Sequence, residues 1–121
     1  MVDAIDGAPA IDVLADASIL GLAEQAALML REAPRLPATA HDTGDWLHTA
    51  VYLALPGHRA LLFPGAGADE EVIATIERRG GVVLSVPGGA DADPFRRAIV
   101  QSVTAELLAP ELWRRTSAKA R

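Results

Sequence analysis

ALLFPGAGADEEVIATIERRGGVVLSV, residues 60–86, is the stretch on which the fold turns. It opens on an apolar run, Ala60–Phe63, and bends through Pro64-Gly65-Ala66-Gly67. A helix then starts near Asp69, with Asp69, Glu70 and Glu71 in its first turn, and stops at Arg78-Arg79 and the pair Gly80-Gly81. Acids at a helix start, bases at its end and glycine just beyond complement the helix dipole and supply the C-cap. Val82–Val86 is a second apolar run, rich in β-branched residues. Strand, short helix and strand joined by tight turns make a βαβ unit, whose strands lie parallel with a right-handed crossover.

Upstream, Gly44 to Leu55 carries a helical period, with Leu47, Ala50, Val51, Ala54 and Leu55 as its apolar seam, and Pro56-Gly57 closes it. Before that, Arg35–Ala40 reads as an extended or irregular connection, because Pro34 and Pro37 stop the preceding helix. That helix runs from Ile19 to about Glu32 with Ser18 as N-cap, and Ile19, Leu22, Ala23, Ala26 and Leu30 line one face. Leu20, Ala27 and Leu28 lie off the stripe, so the helix needs cover on more than one side, from a second layer or another subunit. Ile11–Ala15 is a further strand, and residues 1–9 are a loose lead-in. Downstream of the decisive stretch comes a Gly88-Gly89 loop. Asp93 as N-cap and Pro94 at the first helical position then start a helix to about Ala109. Pro110 kinks it or opens a short second helix through Trp113, and residues 116–121 are a frayed tail. The pattern is α/β: a three-layer αβα sandwich around a small parallel sheet, one domain over residues 1–121.

A chain of 121 residues suits one core, built here from Ala, Leu, Val and Ile because only 4% of residues are aromatic. The net charge of −5 argues against nucleic acid and against an anionic membrane surface, since both attract basic patches. With no cysteine there is neither a disulfide nor a thiolate metal site. The first residues lack the basic and apolar regions of a signal peptide, and no apolar run approaches the roughly 20 residues of a membrane span. The expected setting is the cytoplasm.

Three groups of residues could carry chemistry. Gly65-Ala66-Gly67 could cradle a phosphate on free N–H groups, but acids open the helix behind it and neither a full dinucleotide fingerprint nor a P-loop lysine is present. The reading is a plain turn. In His41-Asp42-Thr43-Gly44-Asp45-Trp46-Leu47-His48, Asp45 and His48 could share a helix face and pair or bind a metal. The spacing matches no dedicated zinc motif, Asp42 or Thr43 serves equally as a cap, and neither metal nor cofactor is expected. Glu32 ends an apolar helix, where partial burial and the dipole would suit a carboxyl to proton transfer; the alternative is an exposed ion pair with Arg31 or Arg35.

Ala23–Glu32, then Leu36-Pro37-Ala38, then Gly44-Asp45-Trp46-Leu47-His48, resembles the helix-and-loop signature of sugar-isomerase (SIS) domains, most nearly the second SIS domain of phosphosugar isomerases. The order of later elements agrees too, and the resemblance covers roughly residues 11–113. It implies a three-layer sandwich of the flavodoxin-like class and a phosphosugar as ligand. It implies ketose–aldose isomerisation through an enediol, with Glu32 as base and His48 assisting ring opening, often across a subunit boundary. It also implies pairing, as a homodimer or with a partner SIS domain.

The sequence departs from that pattern at named places. Met29 stands where the family carries a lysine, Thr49-Ala50 replace the Gly-Pro after the motif histidine, and no Ser/Thr-rich phosphate loop is present. Two functions follow: a phosphosugar-binding part of an aldose–ketose isomerase, or a non-catalytic SIS module for phosphosugar sensing or dimerisation.

Overall fold

Ile11–Ala15 (β1) lies at the centre of the sheet because its neighbours on both sides bury it: four of its five residues are fully enclosed. The computed structural model describes residues 2–87 and 93–119. Around β1 stand Ala38–Asp42 (β2), Arg59–Leu62 (β3) and Val82–Ser85 (β4) in the order β2-β1-β3-β4, all parallel. The α/β sandwich expected from the sequence is therefore present, with one strand more.

That extra strand is β2. Thr39, His41 and Asp42 give it no apolar alternation, and the flanking prolines suggested irregular chain. As an edge strand it needs only one ladder, which β1 supplies in register from Ile11↔Ala38 to Ala15↔Asp42.

Among the described residues five helices cover the sheet: Val2–Ile5 (α1), Leu20–Glu32 (α2), Thr43–Trp46 (α3), Asp69–Arg78 (α4) and Pro94–Lys119 (α5). The lead-in is thus not loose, for α1 buries Ile5. On one face α2, α5 and Ile5 enclose Val13, Ala15, Leu61 and Phe63. On the other, Trp46, Ala50, Val51, Val72 and Ile76 enclose Leu14, Ala60 and Leu62. The side-chain period of a strand sends alternate residues to the two cores. The chain runs from β1 outward to β2, then back across β1 to β3 and β4. Right-handed crossovers accordingly put α2 on one face and α3 and α4 on the other, with the switch point between β1 and β3.

Local corrections have physical causes. Asp16, not Ser18, caps the start of the α2 region: it accepts the Ser18 N–H at 3.0 Å ahead of a 3₁₀ turn, Ala17–Ile19. The helix expected from Gly44 to Leu55 breaks after α3 and ends in a 3₁₀ turn, Val51–Leu53, with Leu55 exposed. At the break the Asp45 carbonyl is crowded by three donors, the Thr49 hydroxyl at 2.9 Å and the N–H groups of His48 at 2.9 Å and Thr49 at 3.0 Å. Pro110 neither ends nor splits α5, which continues to Lys119, so Thr116–Lys119 are helical rather than frayed. The Gly88-Gly89 loop and the last two residues lie outside the described residues. The all-round apolar character of α2 finds its second cover in α5, while Leu28 stays exposed.

Candidate functional site

In open parallel sheets, ligands bind beyond the carboxyl ends of the strands, beside the switch point. Here an aspartate of the chain itself bonds backbone N–H groups beside each described helix start at that edge, although the N-cap residues of α2 and α4, Ile19 and Ala68, carry no side-chain cap. After β1, Asp16 takes the Ser18 N–H, and the Ser18 hydroxyl and N–H hold its carboxyl below the usual range. After β2, Asp42 accepts from Gly44 at 2.7 Å and from Asp45 at 3.2 Å. After β3, Asp69 accepts from Gly65 at 2.7 Å and Ala66 at 3.1 Å, which makes the glycine turn a self-capped loop. At α5, Asp93 accepts from Arg96 at 3.2 Å. Several N–H groups that could receive a phosphate are thus already bonded to carboxylates.

Glu32 is the last residue of α2, at the opposite, amino edge of the sheet, because α2 runs antiparallel to the strands. It is exposed and has no ion pair among the described residues, Arg31 donating instead to the Ala38 carbonyl at 2.7 Å. His48 is exposed in the turn after α3, on the other face. One protomer therefore holds Glu32 and His48 on opposite sides of its sheet. Asp45 likewise does not join His48 in a metal site; among the described residues no three His, Asp or Glu side chains are grouped to hold a metal.

The structure assembles a cluster that pattern reading missed. Asp12 points into the second core, where Trp46 Nε1 donates to its Oδ2 at 3.0 Å. His58 Nε2 lies 3.1 Å from the same oxygen, off the best hydrogen-bond line, and His41 Nε2 lies 3.4 Å from Oδ1. Burial acts to raise the Asp12 pKa, but the contacts from His58 and Trp46 and the two imidazole charges outweigh it, leaving the carboxyl below its usual range. The available signal was Asp12 itself, one charge inside an otherwise apolar strand, which must find partners to be buried.

Comparison with known proteins bears on the architecture. No protein-family model matches the chain, and no curated protein matches it. The C-terminal domain of glucosamine-fructose-6-phosphate aminotransferase from Francisella tularensis superposes with a TM-score of 0.75 at 16% identity, over 96% of this chain and 38% of that one. The chain has the sugar-isomerase fold. Glucosamine-6-phosphate deaminase from Thermotoga maritima gives 0.75 at 19% identity over 93% of this chain and 39% of its own. A proposed sugar-phosphate isomerase from Listeria monocytogenes gives 0.76 at 15% identity over 96% and 74%. This sugar-isomerase fold thus spans less than two-fifths of the length of the first two proteins. Among the described residues no helix is long and apolar enough to cross a membrane.

Proposed function

We propose that the chain binds a phosphorylated sugar as one half of a two-part site, completed by a second sugar-isomerase domain or a second copy of itself, and that the pair interconverts ketose and aldose phosphates. The observation that carries this is the placement of Glu32 and His48. Both are solvent-exposed on a sugar-isomerase fold, yet the sheet separates them. A second chain can bring a histidine to a glutamate that the first chain cannot reach. Ile99, Val103 and Leu107, 49%, 53% and 69% exposed at helical spacing on α5, offer an apolar row for such pairing. Where the partner is a different sugar-isomerase domain it would also supply groups for the phosphate, since several N–H groups of this chain's loops are taken by its own aspartates. The substrates named for the solved proteins of the same fold include sugar 6-phosphates, which supports the ligand class. Sugar phosphates are intracellular metabolites, so this reading carries a cytoplasmic setting.

The second reading is a non-catalytic module that senses a phosphosugar or only dimerises; Met29 and the aspartates already bonded to N–H groups at the carboxyl edge favour it. Assay of fructose 6-phosphate isomerisation, alongside sedimentation of the same samples, separates the two. On the first reading the wild-type chain is active where it self-associates, and Glu32→Gln, which keeps the shape and removes the base, lowers the rate roughly 10²-fold or more. No activity, with phosphosugars leaving the melting temperature unchanged, would discard the isomerase.

A further inference from the structure

The helix-dipole pattern sorts this molecule's charges by edge. Every long helix descends from the carboxyl edge of the sheet to the amino edge, so N-terminal acids (Asp16, Asp42, Asp69, Asp93) collect at the first. The C-terminal bases of α2, α4 and α5 (Arg31, Arg78, Lys119) collect at the second. Asp3, Asp6, Glu32 and Glu111 also stand at the amino edge, so that edge carries both signs, with several of its acids paired to Arg115 and Lys119.

A cavity of about 300 Å³ opens at that amino edge, between the end of α1, the α2–β2 loop and the last turns of α5. Ile5, Leu36 and Leu112 reach the cavity from the core with little surface of their own, and the exposed lining, with Asp6, Arg35 and Thr116, is more polar than apolar. The Asp6 carboxylate is already neutralised, with Lys119 Nζ at 3.1 Å and Arg115 at 3.6 Å. Arg35 has no ion-pair or hydrogen-bond partner among the described residues. Its backbone stands at φ +59°, the one positive-φ residue other than glycine among those described. The loop needs a left-handed residue there to turn back after α2, with the Leu36 N–H reaching the Leu30 carbonyl at 2.9 Å, a position where glycine is free of strain. The chain instead keeps an arginine there, among the residues lining the cavity.

We propose that this cavity is a binding site for a small organic carboxylate, its carboxylate received by Arg35 and its short body lodged between the end of α1 and the α2–β2 loop. The site is separate from the Glu32–His48 reading and does not depend on it. Arg35 is suited to the task because a guanidinium pairs with a carboxylate in two parallel hydrogen bonds. A cavity of this size lies at the small end of the range of small-molecule sites.

The test titrates hexanoate, hexanol and fructose 6-phosphate into the wild-type chain and into Arg35→Gly, following backbone amide resonances. Hexanoate should shift the Gly7, Ala8 and Leu36 amides, with hexanol binding roughly 10- to 100-fold more weakly for want of the charge-assisted pair. Arg35→Gly should lose hexanoate binding by a similar factor while melting at or above the wild-type temperature, because the substitution removes backbone strain and binding together. Unchanged hexanoate binding in Arg35→Gly, shifts elsewhere on the molecule, or preference for fructose 6-phosphate at this cavity would overturn the proposal. Should Arg35→Gly melt lower, Arg35→Gln, which keeps the side-chain length without the charge, decides by the same readout.

Discussion

Asp12 sits in the middle of the sheet, where an unpaired carboxylate would be prohibitively costly, and its environment answers that cost on three sides. Trp46 and the two histidines come from segments 29 to 46 residues away, so they can gather only after α3, β2 and β3 have docked on β1. Replacing Asp12 by Asn keeps an acceptor for Trp46 but turns an amide toward one of the imidazoles. The expected loss is about 2 kcal/mol, or a fall of roughly 8 °C in melting temperature. The pH dependence has a definite sign. Because the folded carboxyl titrates below the ordinary value of about 3.9, its stabilisation is present above that value and is lost as pH falls through the folded pKa. Urea unfolding of wild type and Asp12→Asn should therefore show a gap at neutral pH that closes in acid. A gap independent of pH would mean the cluster acts by shape alone.

At the scale of elements, α5 holds a proline seventeen positions into a continuous helix, and Pro110 leaves the Glu106 carbonyl without its partner N–H. Leu108, Ala109 and Leu112 are buried on either side of it, so packing holds the helix across the defect. Pro110 itself is exposed, and Pro110→Ala should stabilise the fold by about 1–3 kcal/mol in chemical denaturation. A variant no more stable than wild type would show that the helix has adjusted around the ring. The turn into β4 rests on different physics. A methyl group on Gly81 would come within 2.6 Å of Ile76 and 2.9 Å of the His58 carbonyl. Gly81→Ala should accordingly cost about 1–3 kcal/mol by overpacking, measured in the same experiment. The Gly-Gly pair read as a helix stop is thus also a point of close approach between α4 and the chain entering β3.

Across the whole molecule, the two ends of the chain are joined by charge. Arg115 bonds Asp3 and Glu111 and lies near Asp6, while Lys119 bonds Asp6, fastening α1 to the end of α5. Hydrogen bonds from Arg114 and then Arg115 hold Glu111 down at about 2, and Arg115 likewise lowers Asp3. These carboxylates help the folded state above their ordinary range and lose that help as pH falls toward about 2. Being partly exposed, the clasp is also screened by salt. Amide protection factors at Ile5–Gly7, taken against the intrinsic rate at each pH, should therefore fall at about pH 3 and in about 1 M salt. The core amides of Val13 and Leu61 should stay protected. Equal response at both places would show that α1 is held by Ile5 burial instead.

The βαβ unit, the helix over residues 20–32 and the start of α5 could be read from the chain alone, because turn residues, caps and apolar periods act within a few residues of one another. Glu32 and His48 were legible as candidates, but their separation by the sheet was not, since it depends on which face each crossover takes. Strand β2 carries no pattern of its own and exists because β1 offers a free edge. The Asp12 cluster and the Arg35 cavity are products of contact between distant segments, and local sequence signals do not report contacts of that range. What the sequence determined by itself was the set of elements and their direction, through local hydrogen bonding and sterics. The assembly of side chains into sites was decided only by tertiary packing, because burial and charge pairing act across the fold.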